Sequence, residues 1–447
     1  MSTKKYDDSS VESIVSYSQS LIGNSLDEVV TLPHGVANKK NKGNLGRLVE
    51  AHYFDLPATN SGLDFPKAGL ELKVTGVLPN GKDAYKAKER LVLTMINYME
   101  IDKESWDESK FLTKCRLMLI LFYLHEEGVS AIDLKFVLNP FLFRIENHDL
   151  EIIKQDWGII QNKVNAGKAH ELSEGDTFYL GATRKGEGGE DEALRPQPNS
   201  PIKAKSRAFA FKQKYMNLLI SGPVEEGGSL LGGSRITIEA ATQRRFKPYI
   251  GQSVEKISES IGYFKSGPNH KAFLHDLSKR ILGNGAESVS ELIKADIELK
   301  TIRLTKTGRP MESMSFPAFS LLEIGEEDWE DSSFFEKLEK KFLFVVFQEG
   351  TDREERLLLV AYWNMPYEDR LEAQRVWEET KRRVSLEQLP LPKATESRVA
   401  HVRPKGQNKL DTQLMPSGSN WGKQCFWLNS GYIGSVIKEI AESRNPA

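Results

Sequence analysis

The chain carries one sequence pattern twice, and this repeat constrains its fold more than any other feature. Residues 104–124 and residues 327–348 both run from a Trp, acids, a Ser and a Phe through a charged segment into a strongly apolar strand. Upstream, GLELKVT at 69–75 parallels DIELKTI at 296–302. Matches that recur in the same order favour duplication over chance similarity between two amphipathic patterns.

A third, weaker match lies near the end of each copy, where residues 200–216 parallel residues 419–435. The stretch SGPVEEGGSLLGGS between the copies is rich in Gly and Ser, as interdomain linkers are. The chain is also too long for one ordinary core. We therefore predict a first domain at 1–220, a linker at 221–234 and a second domain at 235–447.

Helical and strand-like patterns alternate within the first copy. Periodicity predicts helices at 11–22, 44–54 and 149–164. The predicted fold class is α/β of the mixed α+β kind, with a central mixed sheet flanked by helices in each of two tandem domains. The strand-like runs lie at 69–78, 91–98, 116–124 and 133–144.

Composition places the chain among soluble globular proteins, with 39% hydrophobic and 28% charged residues. It contains no apolar run of the roughly 18–20 residues that a membrane span needs. Its first residues are polar and resemble no signal peptide, so we expect a cytoplasmic protein. Cys115 and Cys425 lie far apart and suggest neither a disulfide framework nor a metal cluster.

Charge is sorted along the chain although the formal net charge is only −2. Residues 201–216 carry five basic side chains and no acid, with three aromatic residues interleaved. Residues 170–176 and 186–193 are acidic instead. The small net charge argues against general affinity for nucleic acid, and the sorting predicts a local basic surface.

The stretch LDFPKAGLELKVT at 63–75 places three charges around an apolar strand. Alternation along a strand sends Glu71 and Lys73 to the same face, about 7 Å apart. The segment PKAG at 66–69 is typical of a bend, which would return Asp64 to the side of Glu71. The pattern predicts two carboxylates and one ammonium at a single point, either as a catalytic site or as an exposed salt bridge.

Asp64, Glu71 and Lys73 have the D-x6-E-x-K spacing of a Mg²⁺-dependent nuclease core. Cleavage of a phosphodiester needs a hard cation that neutralises developing charge and makes water nucleophilic. Mg²⁺ prefers carboxylate oxygens and keeps several waters, so two acids and a substrate phosphate form a suitable site. A Lys on the same face can stabilise the transition state. Because acids and lysines are common, the spacing alone leaves the salt-bridge interpretation open.

The residues around this motif extend it. A helix-like stretch with Glu50 precedes DFP and then GLELK, all within residues 42–75. This segment resembles the active-site region of the mismatch-repair endonuclease MutH and of the MutH-like type II restriction endonucleases that cleave at GATC. The two-copy chain further resembles the staphylococcal GATC-cutting member of the family. That resemblance implies two restriction-endonuclease-like domains, of which the first cuts and the second is a non-cutting DNA-binding effector.

The resemblance also implies roles for individual residues. Asp64 and Glu71 would ligate Mg²⁺, and Lys73 would assist the attacking water. Glu50 would support the metal or its water network. Lys114 falls where the family places a basic residue near the active strand, although an ordinary surface Lys fits that position equally well.

The basic and aromatic stretch late in the first copy corresponds to a DNA-contacting segment in the family. Strand alternation would leave its charges outward, with Phe209 and Phe211 packed inside. Basic side chains in such a place neutralise phosphates or reach base edges. The predicted DNA-binding residues are Lys203, Lys205, Arg207, Lys212 and Lys214, with Arg184 and Lys185 as weaker candidates.

The second copy departs from the pattern. Glu298 and Lys300 repeat the strand pair, but the position seven residues before Glu298 is Glu291 rather than Asp. The DFP and Gly signature is absent, and counting back to the place of the helix Glu reaches Leu277. These changes predict that the second copy binds DNA without cutting it.

Together these features predict a type II site-specific deoxyribonuclease that hydrolyses double-stranded DNA at a short site, GATC by resemblance, with Mg²⁺ as cofactor. One catalytic domain would have to bind a second site, self-associate or act twice to cut both strands. A cognate DNA methyltransferase would complete the restriction system. Two alternatives stay open: a nicking endonuclease of mismatch repair, against which the duplicated length argues, and a nonenzymatic site reader with a vestigial nuclease core.

Overall fold

Helices and strands alternate along the chain in the computed structural model, as a mixed α+β fold requires. The structure describes residues 5–33, 44–57, 62–82, 84–145, 147–185, 194–222, 229–231, 236–264, 270–283, 289–406 and 410–444. The helices are α1 (Val11–Ser18), α2 (Leu26–Val29), α3 (Asn44–Leu48), α4 (Tyr98–Ile101), α5 (Lys110–Cys115), α6 (Asn147–Asn165), α7 (Gln213–Ser221), α8 (Ile238–Phe246), α9 (Val254–Ile261), α10 (His270–Leu282), α11 (Ser290–Lys294), α12 (Ser333–Leu338), α13 (Tyr367–Ser385) and α14 (Ser430–Arg444).

The strands fall into two groups along the chain, and residues 223–228 and 232–235 between these groups lie outside the described residues. In the first half they are β1 (Glu71–Pro79), β2 (Tyr85–Ala87), β3 (Leu91–Met95), β4 (Leu117–Leu124), β5 (Phe141–Arg144), β6 (Leu180–Arg184), β7 (Arg195–Gln197), β8 (Ser200–Ala204) and β9 (Arg207–Phe211). In the second half they are β10 (Glu298–Leu304), β11 (Met314–Ala318), β12 (Phe342–Glu349), β13 (Glu355–Trp363), β14 (Ala400–Pro404), β15 (Thr412–Leu414), β16 (Asn420–Gly422) and β17 (Gln424–Leu428).

The two halves share one strand arrangement. The first half contains a sheet of order β2-β1-β4-β5, a sheet of order β3-β9-β6 and the hairpin β7-β8. The second half contains β10-β12-β13, β11-β17-β14 and the hairpin β15-β16. The pair β1 and β4 is parallel, as is the pair β10 and β12, and the flanking pairs are antiparallel. This arrangement confirms the predicted mixed sheet and its duplication.

Strand β4 holds the first half together because both of its faces are buried. Its sequence LMLILFYL is a continuous apolar run, as expected for a strand covered on both sides. Met118 and Ile120 join a hydrophobic cluster that includes α6 side chains. Leu119 and Leu121 join a different cluster, which includes side chains of α1 and α3. The parallel neighbour β1 is thereby fixed between two cores.

Individual side-chain contacts also recur in the two halves. Trp106 packs on Trp157 with ring centroids 5.7 Å apart, and Trp329 packs on Trp377 at the same distance. Trp157 and Trp377 lie at the same position of the 19-residue helices α6 and α13. Matching contacts at matching positions support duplication more strongly than the letters of the sequence do.

A buried tyrosine–aspartate bond is repeated as well. The Tyr215 hydroxyl donates to Asp149 at 2.8 Å, and the Tyr432 hydroxyl donates to Asp369 at 2.7 Å. In the second half, Arg398 from the same half pairs with this carboxylate. In the first half, the cation is a lysine of the second half, Lys294 of α11, whose Nζ lies 2.9 Å from Asp149.

The two halves pack directly on one another. The Phe178 ring meets the Tyr362 ring edge-on with centroids 5.4 Å apart. Lys205 Nζ lies 2.5 Å from the carboxylate of Glu330. One hydrophobic cluster contains side chains from both halves, including those of β4 and β12. The predicted division at 1–220, 221–234 and 235–447 stays a proposal.

Three secondary-structure predictions need correction. The run at 133–144 contains a strand only at its end, β5, because residues 131–133 form a short 3-10 helix. The run at 91–98 ends as a strand at Met95, and α4 begins at Tyr98. The helix predicted at 44–54 continues beyond α3 as a π-helical turn. None of the described helices is long and apolar enough to cross a membrane.

Candidate active site

A tight turn before β1 brings the first acid of the motif back to the strand. The N–H groups of Phe65 and Leu70 each donate to the carbonyl of the other, which closes the turn. Gly69 has a φ of +64°, a conformation that favours glycine. Asp64 Oδ2 then accepts a hydrogen bond from the N–H of Leu72 at 2.8 Å. The structure thus contains the bend that the sequence predicted.

Glu71 lies at the centre of the cluster. Lys73 Nζ lies 2.8 Å from its Oε1, so the two side chains share a face of β1 as expected. Lys114 Nζ lies 3.4 Å from the same oxygen. Lys114 comes from the end of α5, and the parallel pairing that sets Glu71 opposite Met118 brings it there. The carboxylate therefore faces two ammonium groups.

The other carboxylate oxygen of Glu71 is unusual. Only 3% of the Glu71 side chain is exposed, and Oε2 is buried without a hydrogen-bond partner. A buried carboxylate oxygen with no partner is costly, and such groups need an explanation such as an ion or a functional role. The exposed-salt-bridge interpretation of the motif is therefore wrong, because Glu71 is buried and Lys73 is only 17% exposed.

The helix that precedes the motif brings a third acid to the cluster. Glu50 lies in the π-helical turn Val49–Tyr53, and such turns are frequent at functional sites. Burial raises the pKa of the half-buried Glu50, and the charge of Asp64 raises it further. Burial also raises the pKa of Asp64, followed by the charge of Glu71. Three acids crowd together, and two of them resist ionisation.

These residues suit a hard divalent cation. Within the described ranges, no group of three or more His, Cys, Asp or Glu side chains is arranged to hold a metal ion. Asp64 and Glu71 nevertheless present a pair of carboxylates, one with a buried oxygen that nothing else satisfies. Mg²⁺ is commonly bound by one or two carboxylates, with waters and substrate phosphates completing its shell. The donor set fits that ion.

The second half keeps the strand pair but not its neighbours. Lys300 Nζ lies 2.6 Å from Glu298, whose side chain is 31% exposed. Helix α12 repeats α5, with the N-cap Ser332 at the place of Ser109, so the counterpart of Lys114 is Lys337, and within the described residues no ion pair joins Lys337 to Glu298.

Counting back from Glu291 assigns the helix position to a residue of α10 that is apolar. Leu277 is fully buried in α10. His275 and Asp276 beside it line a cleft of about 760 Å³ together with Glu298 and Lys300. The acids that line this cleft, Asp276, Glu298 and Glu312, do not follow the sequence spacing of the first copy.

Glu291 is not the structural counterpart of Asp64, so that prediction is wrong. It lies in α11 and accepts hydrogen bonds from the Ser229 hydroxyl at 2.6 Å and from the N–H groups of Leu230 and Leu231. Burial raises the pKa of Glu291, but these hydrogen bonds outweigh it and hold the pKa below its usual range. Glu291 anchors the segment at 229–231 instead of joining Glu298.

The structure also corrects the predicted DNA-binding stretch. All of β9 is buried, so alternation does not leave its charges outward. Arg207 donates to the carbonyl of Ala182 at 2.6 Å. Lys212 donates to the carbonyls of Thr177 and Ala295. Burial lowers the pKa of Lys212 to about 8. These two side chains therefore form hydrogen bonds inside the protein and do not lie on its surface.

The remaining basic residues of the stretch differ in accessibility. Lys203 and Lys214 are exposed. Lys205 and Arg184 both pair with Glu330 of the second half. The acidic segment 186–193 lies outside the described residues. Lys203, Lys214 and the weaker candidate Lys185, which is also exposed, keep the surface position that the sequence predicted.

Sequence reasoning missed a basic pair in the second half. Arg403 lies over the Trp427 ring, with its guanidinium carbon 3.6 Å from the ring centroid, and no carboxylate in the described ranges pairs with it. Lys405 follows and lines the same cleft as Glu298. β14 pairs with β17 as β6 pairs with β9, and β6 ends at Arg184, which was a candidate. An alignment of β14 with β6 would therefore have pointed to Arg403 and Lys405.

The fold and the site define a protein of two MutH-like, restriction-endonuclease-like copies, one of which holds a complete cluster. A model of the family "DNA mismatch repair enzyme MutH" matches residues 56–156 and 282–374, once in each half. The type II restriction enzyme Sau3AI of Staphylococcus aureus is 33% identical over 92% of this chain and 96% of its own length. The chain therefore belongs to the family of MutH-like type II restriction enzymes.

The single-copy relatives match less of the chain. The DNA mismatch repair protein MutH of Shewanella woodyi is 23% identical over 49% of this chain and 94% of its own length. The MutH protein of Pasteurella multocida is 30% identical over 28% of this chain and 57% of its own length. Nearly the whole length of the first of these repair proteins corresponds to about half of the present chain.

Proposed function

We propose that the chain is a Mg²⁺-dependent type II restriction endonuclease that hydrolyses double-stranded DNA at a short specific site. The first half carries out the chemistry. The observation that carries this proposal is the buried, unpartnered oxygen of Glu71, next to Asp64 and faced by two lysines. Family membership supplies the reaction class, and the cluster supplies the location.

Each residue of the cluster has a role that its contacts support. Asp64 and Glu71 would hold the cation, which supplies neutralising charge and a more acidic water. Lys73 and Lys114 bind Oε1 of Glu71 and thereby orient its second oxygen away from themselves. Their ammonium groups would also face the phosphate, where negative charge develops during cleavage. Glu50 would support the water network, and burial raises its pKa above the usual value.

The second half would bind DNA without cutting it. In the described residues it lacks the second lysine contact on its strand glutamate, because Lys337, at the place of Lys114, forms no ion pair with Glu298. It retains the cleft, and Arg403 and Lys405 bring positive charge to that side of the half. A protein with one cutting half needs a further device to break both strands. We propose self-association or looping between two sites, mediated by this second half.

The recognition sequence and the setting are further parts of the proposal. The active-site segment resembles enzymes that cleave at GATC, so GATC is the first sequence to test. A restriction enzyme endangers its own genome unless those sites are protected, and a cognate DNA methyltransferase would provide that protection. Both proteins would meet DNA in the cytoplasm.

Digestion of unmethylated plasmid DNA with Mg²⁺, followed by sequencing of the ends, tests the proposal. Wild-type protein should give discrete ends at one short sequence, and Asp64→Ala should abolish them. Glu298→Gln in the second half is the matched control and should still cut. Nicks confined to one strand would favour a repair-type nicking enzyme. Binding without cleavage in Mg²⁺ or Mn²⁺ would favour a nonenzymatic site reader and overturn the proposal.

A further inference from the structure

A cleft in the second half collects positive charge that the rest of the described chain does not neutralise. It has a volume of about 760 Å³ and lies where α8, α9 and α10 end. Arg244, Arg245 and Arg280 line it, and none of the described residues that line it is acidic. Its floor is apolar, with Leu231 and Ile281 both buried. This cleft is separate from the one that contains Glu298.

Among the described residues, the three guanidinium groups have no ionic partners. Other arginines of this half pair with acids, for example Arg303 with Glu355 at 2.6 Å. In the described part of the chain, no carboxylate lies within salt-bridge distance of the three that line the cleft. Arg280 Nε is a buried nitrogen without any hydrogen-bond partner. A buried guanidinium nitrogen left without an acceptor is costly, so an acceptor is expected from outside the described residues.

Arg280 is also held in place. Its guanidinium carbon lies 4.1 Å from the centroid of the Tyr263 ring, and that ring stacks on Phe273 with centroids 5.6 Å apart. A stacked guanidinium loses little conformational entropy when it binds an anion, because its plane is already fixed. The cleft therefore contains a preorganised donor rather than a mobile surface charge.

The negative C-terminal ends of the helices offset part of this positive charge but not all of it. Arg244 and Arg245 lie in the last turn of α8, and Arg280 lies in the last turn of α10. Each helix C-terminus carries about half a negative charge, so the three that meet here supply about −1.5. Three guanidinium groups then leave a residual charge of about +1.5. A phosphate monoester carries a charge of roughly −1.5 to −2 at neutral pH, which matches that residual positive charge.

We propose that this cleft, the arginine cleft, binds a phosphate group. The forked donors of arginine suit phosphate oxygens better than a point charge does. The apolar floor and the half-buried Tyr249 suit an organic body attached to that phosphate. Two sources share this chemistry: a small phosphate ester such as a nucleotide, and a backbone phosphate of DNA lying against the second half.

Titration calorimetry on the full chain, with EDTA present and ionic strength fixed, tests for the site with pyrophosphate and with a nucleoside 5′-monophosphate as probes. Wild type should bind at least one of them saturably. Arg244→Gln should raise that Kd about tenfold or more, the loss typical of one charge-assisted hydrogen bond. Arg244 is exposed, so its replacement spares the core. Lys247→Gln removes an exposed charge that does not line the cleft and should leave the Kd unchanged.

Binding of a duplex without GATC, measured by anisotropy against salt concentration, separates the two sources. A lower salt slope in Arg244→Gln, by about 1, assigns the site to a DNA phosphate. An unchanged slope together with lost nucleotide binding assigns it to a small ligand. Arg280→Lys keeps the charge but loses the fork, and it should weaken whichever probe binds. Equal affinity of Arg244→Gln and Lys247→Gln for every probe, or no saturable binding by wild type, would overturn the proposal.

Discussion

The two copies begin their parallel strand with the same ion pair, and only one of them forms a complete cluster. Glu71 and Lys73 lie 2.8 Å apart, and Glu298 and Lys300 lie 2.6 Å apart. The difference lies in the side chains that other elements place next to the glutamate. The first copy receives an aspartate from a turn, a glutamate from a helix and a lysine from α5. The strand motif is thus common to both copies, and side chains from other elements determine whether a complete cluster forms around it.

Burial separates the two glutamates in the same way. The side chain of Glu71 is 3% exposed, whereas that of Glu298 is 31% exposed. A carboxylate in water needs no ligand, but a buried one needs its oxygens satisfied. The first copy can hold its buried acids because two ammonium groups compensate them. The second copy does not incur this cost to the same degree, because the side chain of Glu298 is more exposed to water.

Matched lysine variants give the largest contrast between the copies. Lys73→Ala should lower the single-turnover cleavage rate by about 10³-fold, the loss expected when one preorganised charge is removed. Lys300→Ala should leave that rate within about twofold, since distant sites act independently. Quenched-flow cleavage of a short duplex, with enzyme in excess, measures both. Comparable losses in the two variants would mean that both copies cut.

Substitutions of Asp64 and of Glu291, the two acids that counting along the sequence aligns, should change the unfolding free energy in opposite directions. Glu291→Ala leaves the N–H groups of Leu230 and Leu231 without their acceptor and should cost about 2–4 kcal/mol of unfolding free energy at pH 7. Asp64→Asn should raise the unfolding free energy at pH 7 in EDTA, because it removes a buried charge that is held ionised at a cost. Urea denaturation measures both changes.

The pH profiles of these variants provide the control. The folded pKa of Glu291 is lowered, so its stabilisation is present above the ordinary Glu pKa and is lost as pH falls through the folded value. The folded pKa of Asp64 is raised, so its contribution is present below the ordinary Asp pKa and is lost as pH rises through the folded value. Wild-type minus variant curves of the same slope for both positions would contradict this assignment.

Lys114 should contribute less than Lys73, because its ammonium lies 3.4 Å from Glu71. Lys114→Ala should slow cleavage by about 10–30-fold, within the range for losing one interaction with a charged group. Lys110→Ala changes an exposed lysine of the same helix that pairs with Glu100, and it should cut at the wild-type rate. If both variants cut equally well, Lys114 is an ordinary surface residue and the advantage of the first copy rests on its acids alone.

The exposed lysines should give the smallest effect. Lys203→Gln and Lys214→Gln should each weaken DNA binding a few-fold and lower the salt slope by about 1. Lys154→Gln, an exposed lysine of α6, is the comparison variant. Anisotropy titrations at several salt concentrations measure the slopes. Slopes equal to wild type in all three variants would remove this stretch from the DNA-binding surface.

The sequence predicted the parts of the fold that depend on local pattern. The apolar run of β4 and the repeat itself are local signals, and both were interpreted correctly. The turn at 66–69 was also predictable, because Pro and Gly restrict the backbone locally. The shared face of Glu71 and Lys73 follows from strand geometry alone.

Contacts between distant elements were not predictable from one sequence. Lys114 reaches Glu71 only because β1 and β4 pair in parallel with a particular register. Strand alternation predicts that Lys212 is exposed, but the second half covers it, and its ammonium group donates a hydrogen bond to the carbonyl of Ala295. Counting residues back to Glu291 failed because the two copies differ in the segment before the strand. Each failure concerns a side chain whose surroundings come from another part of the chain.

The repeated tyrosine–aspartate bond shows how the copies depend on each other. Asp369 is paired with Arg398 of its own half, whereas Asp149 takes its cation, Lys294, from its neighbour. A separately expressed second half would keep its own ion pair intact. A separately expressed first half would expose a carboxylate that lacks its cation. The half that contains the complete cluster therefore takes part of its ionic support from the other half, so the second copy contributes to the stability of the first.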